Sequence, residues 1–172
     1  MEQQKVLFPE HDLSTEEDLR IEIPRRVVHF HTYGKTSEYF RALGEGKILG
    51  TRCNACNLVF LPPRPDCPEC WQKTEWVELP HRGKIATFAV VDYPGEGFIE
   101  DLQSVNSKLP CVIVYVDIDG VDTKLMSRLE DCDPKDVSIG MEVEARFVEH
   151  PNLNCLDLYW VPSTRSSASV PD

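Results

Sequence analysis

Four cysteines constrain this chain more than any other feature. Cys53, Cys56, Cys67 and Cys70 form two Cys-x-x-Cys pairs separated by ten residues. Two residues between thiolates make a tight knuckle whose backbone N–H groups can also hydrogen-bond the sulfurs. Two such knuckles supply a tetrahedral ligand set for one metal ion, with Zn–S bonds near ~2.3 Å. The intervening stretch, NLVFLPPRPD, is apolar and then proline-rich, which suits a short hairpin that brings the knuckles together. Four thiolates leave no coordination position open for water, so an ion held this way folds the segment and does no chemistry on a substrate. The segment 53–80 is too short to own much of a core, and metal binding would supply its folding energy. One zinc ion per chain is the expected cofactor.

Iron is the alternative, because four thiolates also suit a mononuclear iron site for electron transfer. The CPEC pair resembles a rubredoxin knuckle, but Asn57 and Trp71 stand where that family typically carries glycine. The remaining cysteines, Cys111, Cys132 and Cys155, are scattered and read as small apolar side chains. Nothing in the seven argues for a disulfide framework, because the N-terminus lacks the apolar centre of a secretory signal and the chain reads as cytoplasmic. No run approaches the roughly 18 apolar residues of a membrane span.

The formal net charge of −11 opposes general nucleic-acid binding, since a phosphate backbone is held by clustered Lys and Arg. The balance is uneven along the chain. Arg41, Lys47, Arg52, Arg64, Lys73, Arg82 and Lys84 make the middle third far less acidic than the ends, so a small anionic ligand fits there.

Residues 1–35 read as an arm interrupted by Pro9 and Pro24, with one strand allowed around Val27–Thr32. Apolar residues in an exposed arm point to a partner surface. Residues 36–52 read as a helix and a lead-in strand. Ser37 is placed to cap the helix, Tyr39, Phe40 and Leu43 fall at helical spacing, and Gly44 and Gly46 stop it. The zinc ribbon then occupies 53–80. From 81 to 163 the rhythm is that of strands: 83–93, 109–118 with Val112, Val114, Val116 and Ile118 on one face, a weaker 122–129, 140–150 and 153–162. In 140–150 the alternation is clearest, with Met141, Val143, Ala145 and Phe147 inward and Glu142, Glu144 and Arg146 outward. About five strands without a βαβ rhythm predict a small closed or nearly closed barrel, so the fold class is mainly β. Residues 164–172 form a tail that reads as disordered by composition. Two loops stand out: 92–108, long enough to be functional, and 130–140, with turn chemistry at Asp133-Pro134 and Gly140 and room for one helical turn.

No nucleophile elbow, Walker or dinucleotide glycine motif is present. The five histidines are dispersed, and Asp92, Glu100 and Asp101 are the only acidic grouping worth testing. The chain shows no catalytic constellation of its own.

The stretch from Ser37 to Val91 is similar to a family associated with acyl-CoA enzymes, which joins an N-terminal helix, a rubredoxin-like zinc ribbon and a C-terminal five-stranded OB-fold. The residues that carry the resemblance are SEYF, the two knuckles with FLPPRPDCPEC between them, the junction from Trp76 to Ile85, and IGMEVEARF. It covers approximately residues 36–162. It implies a non-catalytic but required subunit of a hetero-oligomer. The partner would be a thiolase-like catalytic subunit, or alternatively a hot-dog-fold hydratase or a steroid side-chain aldolase. A coenzyme A thioester would sit at the shared interface. With its arm, the chain resembles within that family the small subunits of thiolases that cleave benzoylsuccinyl-CoA in anaerobic toluene breakdown. Arg52, Arg64, Lys73 and Arg82 are then the candidates for coenzyme A contacts. Two readings from other classes stay open at this point: a single-stranded nucleic-acid module and a rubredoxin-like electron carrier.

Overall fold

The computed structural model describes residues 32–93 and 108–163. The expected strand near residue 30, Glu100 and Asp101, most of the long 92–108 loop and the C-terminal tail lie outside the described residues.

A turn of 3-10 helix at Gly34–Thr36 runs directly into helix α1 (Ser37–Gly44). Tyr39, Ala42 and Leu43 are its buried positions, the i, i+3, i+4 stripe of a helix that packs on one side. Half-buried Phe40 stacks on Tyr33, with ring centroids 3.8 Å apart. The start differs from expectation. Ser37 is the first helical residue and not the cap, and its hydroxyl donates to the Gly34 carbonyl at 2.8 Å. The preceding 3-10 turn has already taken the capping position. The end follows the glycine signal closely. Gly46, at φ +73°, donates to Leu43 O at 3.0 Å and Lys47 donates to Ala42 O at 2.9 Å, the paired bonds of a Schellman motif.

Three strands, β1 (Leu49–Cys53), β2 (Val59–Phe60) and β3 (Thr74–Glu78), form an antiparallel sheet in the order β2-β1-β3. The lead-in strand is therefore the centre of the ribbon sheet. Gly50 is required there: a Cβ would meet Leu79 Cδ1 at 2.6 Å and the Phe60 carbonyl oxygen at 2.8 Å.

The other five strands close into a barrel: β4 (Arg82–Val91), β5 (Cys111–Asp117), β6 (Leu125–Leu129), β7 (Glu142–Phe147) and β8 (Leu158–Pro162), ordered β4-β5-β6-β8-β7 and back to β4. Every pairing is antiparallel except β6 with β8. Ile85, Val112, Val114, Val116, Leu125, Leu129, Val143, Ala145, Leu158 and Trp160 are buried, so the alternation read from β5 and β7 is the alternation of the core. The segment 153–162 is half strand. A 3-10 turn at Cys155–Asp157 precedes β8, held by a capping box between Asn154 and the fully buried Asp157. The 130–140 loop has its helical turn at Pro134–Asp136, with Asp133 accepting from the Lys135 N–H.

The parallel β6–β8 seam has one Cα pair, Leu129 with Trp160, and side chains complete it. Buried Arg128 donates to Leu156 O and to Glu130 Oε1, and its guanidinium lies 4.9 Å from the Tyr159 ring centroid. Burial holds this guanidinium below its ordinary pKa, and the Glu130 carboxylate opposes that shift.

Ribbon and barrel meet along β2. Its outer edge is satisfied by the turn between β5 and β6. Val59 N–H donates to Asp122 Oδ2 (2.8 Å), and the Val59 carbonyl accepts from Asp122 N–H (2.9 Å). Leu61 N–H donates to Thr123 Oγ1 (2.7 Å), and that hydroxyl donates back to Leu61 O (2.8 Å). Two barrel residues thus do for the ribbon's edge what another strand would do. Thr123→Val keeps the shape and removes both hydroxyl bonds, leaving two part-buried backbone groups unpaired. We expect a loss of about 1–3 kcal/mol in urea unfolding of the metal-loaded chain. A loss within roughly 0.5 kcal/mol would mean that the turn merely touches the ribbon.

Candidate metal centre and the surface around it

The four sulfurs of Cys53, Cys56, Cys67 and Cys70 lie within 4.8 Å of one another, and they are the one such cluster among the described residues. Cys53 ends β1, so the central strand of the ribbon delivers the first ligand. The backbone then turns back on itself twice in the same way. Asn57 N–H donates to Cys53 O (2.7 Å) and Trp71 N–H donates to Cys67 O (2.9 Å). Cys53 N–H and Cys67 N–H close each knuckle onto Leu58 O (2.8 Å) and Gln72 O (2.9 Å). Cys53 and Cys67 are fully buried with Phe60, while Cys56 and Cys70 are half-buried.

The donor set fits a four-coordinate ion. Metal–sulfur bonds of ~2.3 Å in a tetrahedron place the sulfurs roughly 3.8 Å apart, and Cys53 and Cys70 already stand at 3.5 Å. The environment also prepares for thiolate. The Cys56 N–H lies 3.4 Å from Cys53 Sγ and is the main reason the Cys53 thiol is lowered to about 7. Its neighbours move the other way: hydrogen bonding to Cys70 pushes Cys56 up to about 12. Four thiolates this close repel one another, and a cation at their centre is what would allow all four to be charged. An ion held by all four sulfurs would have no position left for substrate or water, so it would organise the ribbon and not serve as a Lewis acid.

Both residues after a second cysteine adopt left-handed backbone: Asn57 at φ +59° and Trp71 at φ +61°. Asn57 Oδ1 accepts from Arg52 Nη1 at 3.0 Å. Trp71 projects into solvent, 80 % exposed.

The four cations proposed from sequence are not gathered at one point. Arg52 is engaged with Asn57 beside the first knuckle. Arg64 is exposed, its guanidinium 5.8 Å from the Phe60 ring centroid, while its backbone is held by Thr51. Arg82 opens β4 opposite Glu144. Lys73 is bonded to Asp66, which it holds below the usual carboxylate range, with Lys35 adding to the effect. Of the four, only Lys73 lines the cleft of about 340 Å³ between the helix lead-in and the ribbon, with Lys35, Thr36, Thr51, Thr74 and Trp76. Lys35 and Trp76 escaped the sequence reading, because no spacing ties a residue before the helix to one in β3. Asp92 stands at the end of β4, but its partners in the acidic grouping are outside the described residues. Among the described residues no helix is long and apolar enough to cross a membrane.

With the ribbon and barrel in place, the comparisons with known proteins are direct. Residues 40–75 match the ChsH2 rubredoxin-like zinc ribbon domain and residues 76–148 the ChsH2 C-terminal OB-fold domain. A DUF35 domain-containing scaffold protein of Methanocaldococcus jannaschii is 34% identical over 102 residues, which cover 58% of this chain and 67% of that protein. A probable enoyl-CoA hydratase alpha subunit of Thermomonospora curvata is 27% identical over 113 residues, covering 64% of this chain and 32% of that one. Among solved structures, the Ltp2–ChsH2(DUF35) aldolase superposes with a TM-score of 0.62 at 23% identity, over 78% of this chain and 98% of the matched chain. The two matched domain models are a zinc ribbon followed by an OB-fold, the order of ribbon and barrel in this chain. The chain belongs to the DUF35 family, of the ChsH2 type.

Because metal binding must displace thiol protons, loading should release protons and metal retention should fall as the solution is acidified. Cys67→Ser should abolish stoichiometric metal, read by native mass spectrometry, whereas Cys111→Ser should keep it. Full retention in Cys67→Ser would remove that thiol from the ligand set.

Proposed function

We propose that this protein is a non-catalytic, required subunit of a hetero-oligomeric acyl-CoA enzyme, with one zinc ion held by Cys53, Cys56, Cys67 and Cys70. The observation that carries this reading is the convergence of four sulfurs, which would close the coordination of one ion and leave it no position for a reaction. Relatives support it: one is named a scaffold protein, one a hydratase subunit, and one fold neighbour is part of an aldolase. Zinc is preferred over iron because, among the described residues, nothing around the cluster marks a route for electrons. A nucleic-acid role is disfavoured by the charge of −11.

Within this reading the catalytic partner is a thiolase that cleaves a β-ketoacyl-CoA, benzoylsuccinyl-CoA being the specific candidate, with an aldolase or hydratase as the alternative. The catalytic groups then lie on the partner, and this chain shapes the entrance. The segment 1–35 serves as an added arm, 36–52 and 53–80 as helix, lead-in and ribbon, 81–163 as barrel, and the complex works in the cytoplasm. Coenzyme A phosphates are taken by Lys73 beside Lys35, with Arg52, Arg64 and Arg82 as outlying contacts.

The test is reconstitution. The isolated chain should give no thiolysis, hydration or retro-aldol cleavage of acyl-CoA substrates, and the partner alone should be nearly inactive. Together they should form a stable complex with full activity. Turnover by this chain alone, or partner activity indifferent to it, would contradict the reading. Lys73→Glu in the complex should raise KM for the CoA thioester several-fold without disturbing assembly.

A further inference from the structure

The two knuckles give an internal comparison. They share the same backbone closure, and each places the residue after its second cysteine in the left-handed region, at φ +59° and +61°. Folding alone favours glycine or asparagine there, because other side chains put Cβ against the backbone. The first knuckle obeys, and Asn57 also has structural work as the acceptor for Arg52 at 3.0 Å. The second places the largest side chain at that strained position and leaves it 80 % exposed. Leu153, another bulky residue in this region at φ +57°, has its methyl within 3.6 Å of where a Cβ on Gly44 of α1 would lie, so it covers the helix. The Trp71 indole, by its exposure, covers little of its own chain. A residue that costs strain and water-exposed apolar area without a return in packing points to function outside the folded chain.

We infer that Trp71 is the anchor of a protein interface, an indole carried on the rigid second knuckle for insertion into an apolar pocket of the catalytic partner. The inference rests on the reading of this chain as an accessory subunit. Tryptophan is enriched among the few residues that dominate interface energetics, and fixing it on a metal-closed turn limits the freedom lost on binding. The net charge of −11 sets a protein apart from the other takers of an exposed indole, since anionic membranes and nucleic acids would be repelled. Exposed Pro68 and Glu69 on the same knuckle give the rim a small apolar surface and an acidic group.

The experiment uses the full-length, metal-loaded chain with Trp71→Gly and Trp71→Asn, titrated calorimetrically against the acyl-CoA-processing catalytic subunit that co-purifies with it. Both variants should bind at least ten-fold more weakly, while their urea midpoints and metal content equal or exceed the parent's because the strain is relieved. Tryptophan emission of the parent should shift to the blue on complex formation, and the shift should be missing in the variants. Affinity within two-fold of the parent overturns the inference and leaves the accessory-subunit reading standing. A lowered midpoint or lost metal makes Trp71 a structural residue and also overturns it. Quenching by AMP alone, or a blue shift with phosphatidylglycerol vesicles, assigns the indole to a nucleotide or a membrane instead. If the parent associates with no catalytic subunit, both readings fall.

Discussion

Convergence of four sulfurs is the constraint on which the rest depends. The ribbon has a two-residue edge strand, two five-residue strands and, apart from Val59, Leu61 and Leu79, which belong to the core shared with the barrel, a buried cluster of its own made of Cys53, Phe60 and Cys67 with three neighbours. So small a core cannot offset the conformational entropy of ordering its loops. A tetrahedral ion supplies the missing free energy and fixes where both knuckles point. An ion bound by all four thiolates would have no position left for chemistry, so its contribution would be structural.

The barrel then fixes the ribbon in space. Asp122 and Thr123 occupy the hydrogen-bonding edge of β2, and α1 lies against both β1 and the turn before β8. A ribbon tied this way is a platform. What it presents outward is Lys73 with Lys35 and Trp76 around a cleft, and Trp71 on the knuckle. Charge and exposed aromatic surface on a rigid support suit recognition, and this is how the fold would serve the proposed assembly.

Much of this was legible in sequence where the signal is local. The CxxC pairs named the four sulfurs that the fold brings together, the alternation Val143–Ala145 and Val112–Val114–Val116 named barrel-facing side chains, and Gly46 stopped the helix through a positive φ that its neighbours avoid. The rest depends on tertiary contact. Asp122 and Thr123 read as the start of a weak strand, but the strand begins at Leu125, and docking of β2 gives both residues their task in the turn before it. Ser37 has cap chemistry, but the 3-10 turn before it pre-empts the position. Arg128 lies in the strand that reads weakest, and no local signal marks it as buried; its guanidinium reaches Leu156 O beside the parallel seam. Counting basic residues along 41–84 likewise cannot tell that Arg52 donates to Asn57, that Arg82 opens a barrel strand and that only Lys73 of the four lines the cleft.

The central claim is that the metal folds the ribbon while the barrel stands independently and holds it. Amide hydrogen exchange with and without a chelator tests it most directly. Metal removal should sharply raise exchange at Cys53, Cys67, Val59 and Leu61, while Val114, Val143 and Trp160 stay protected. Equal protection of the ribbon in both states, or simultaneous loss across the barrel, would contradict the account.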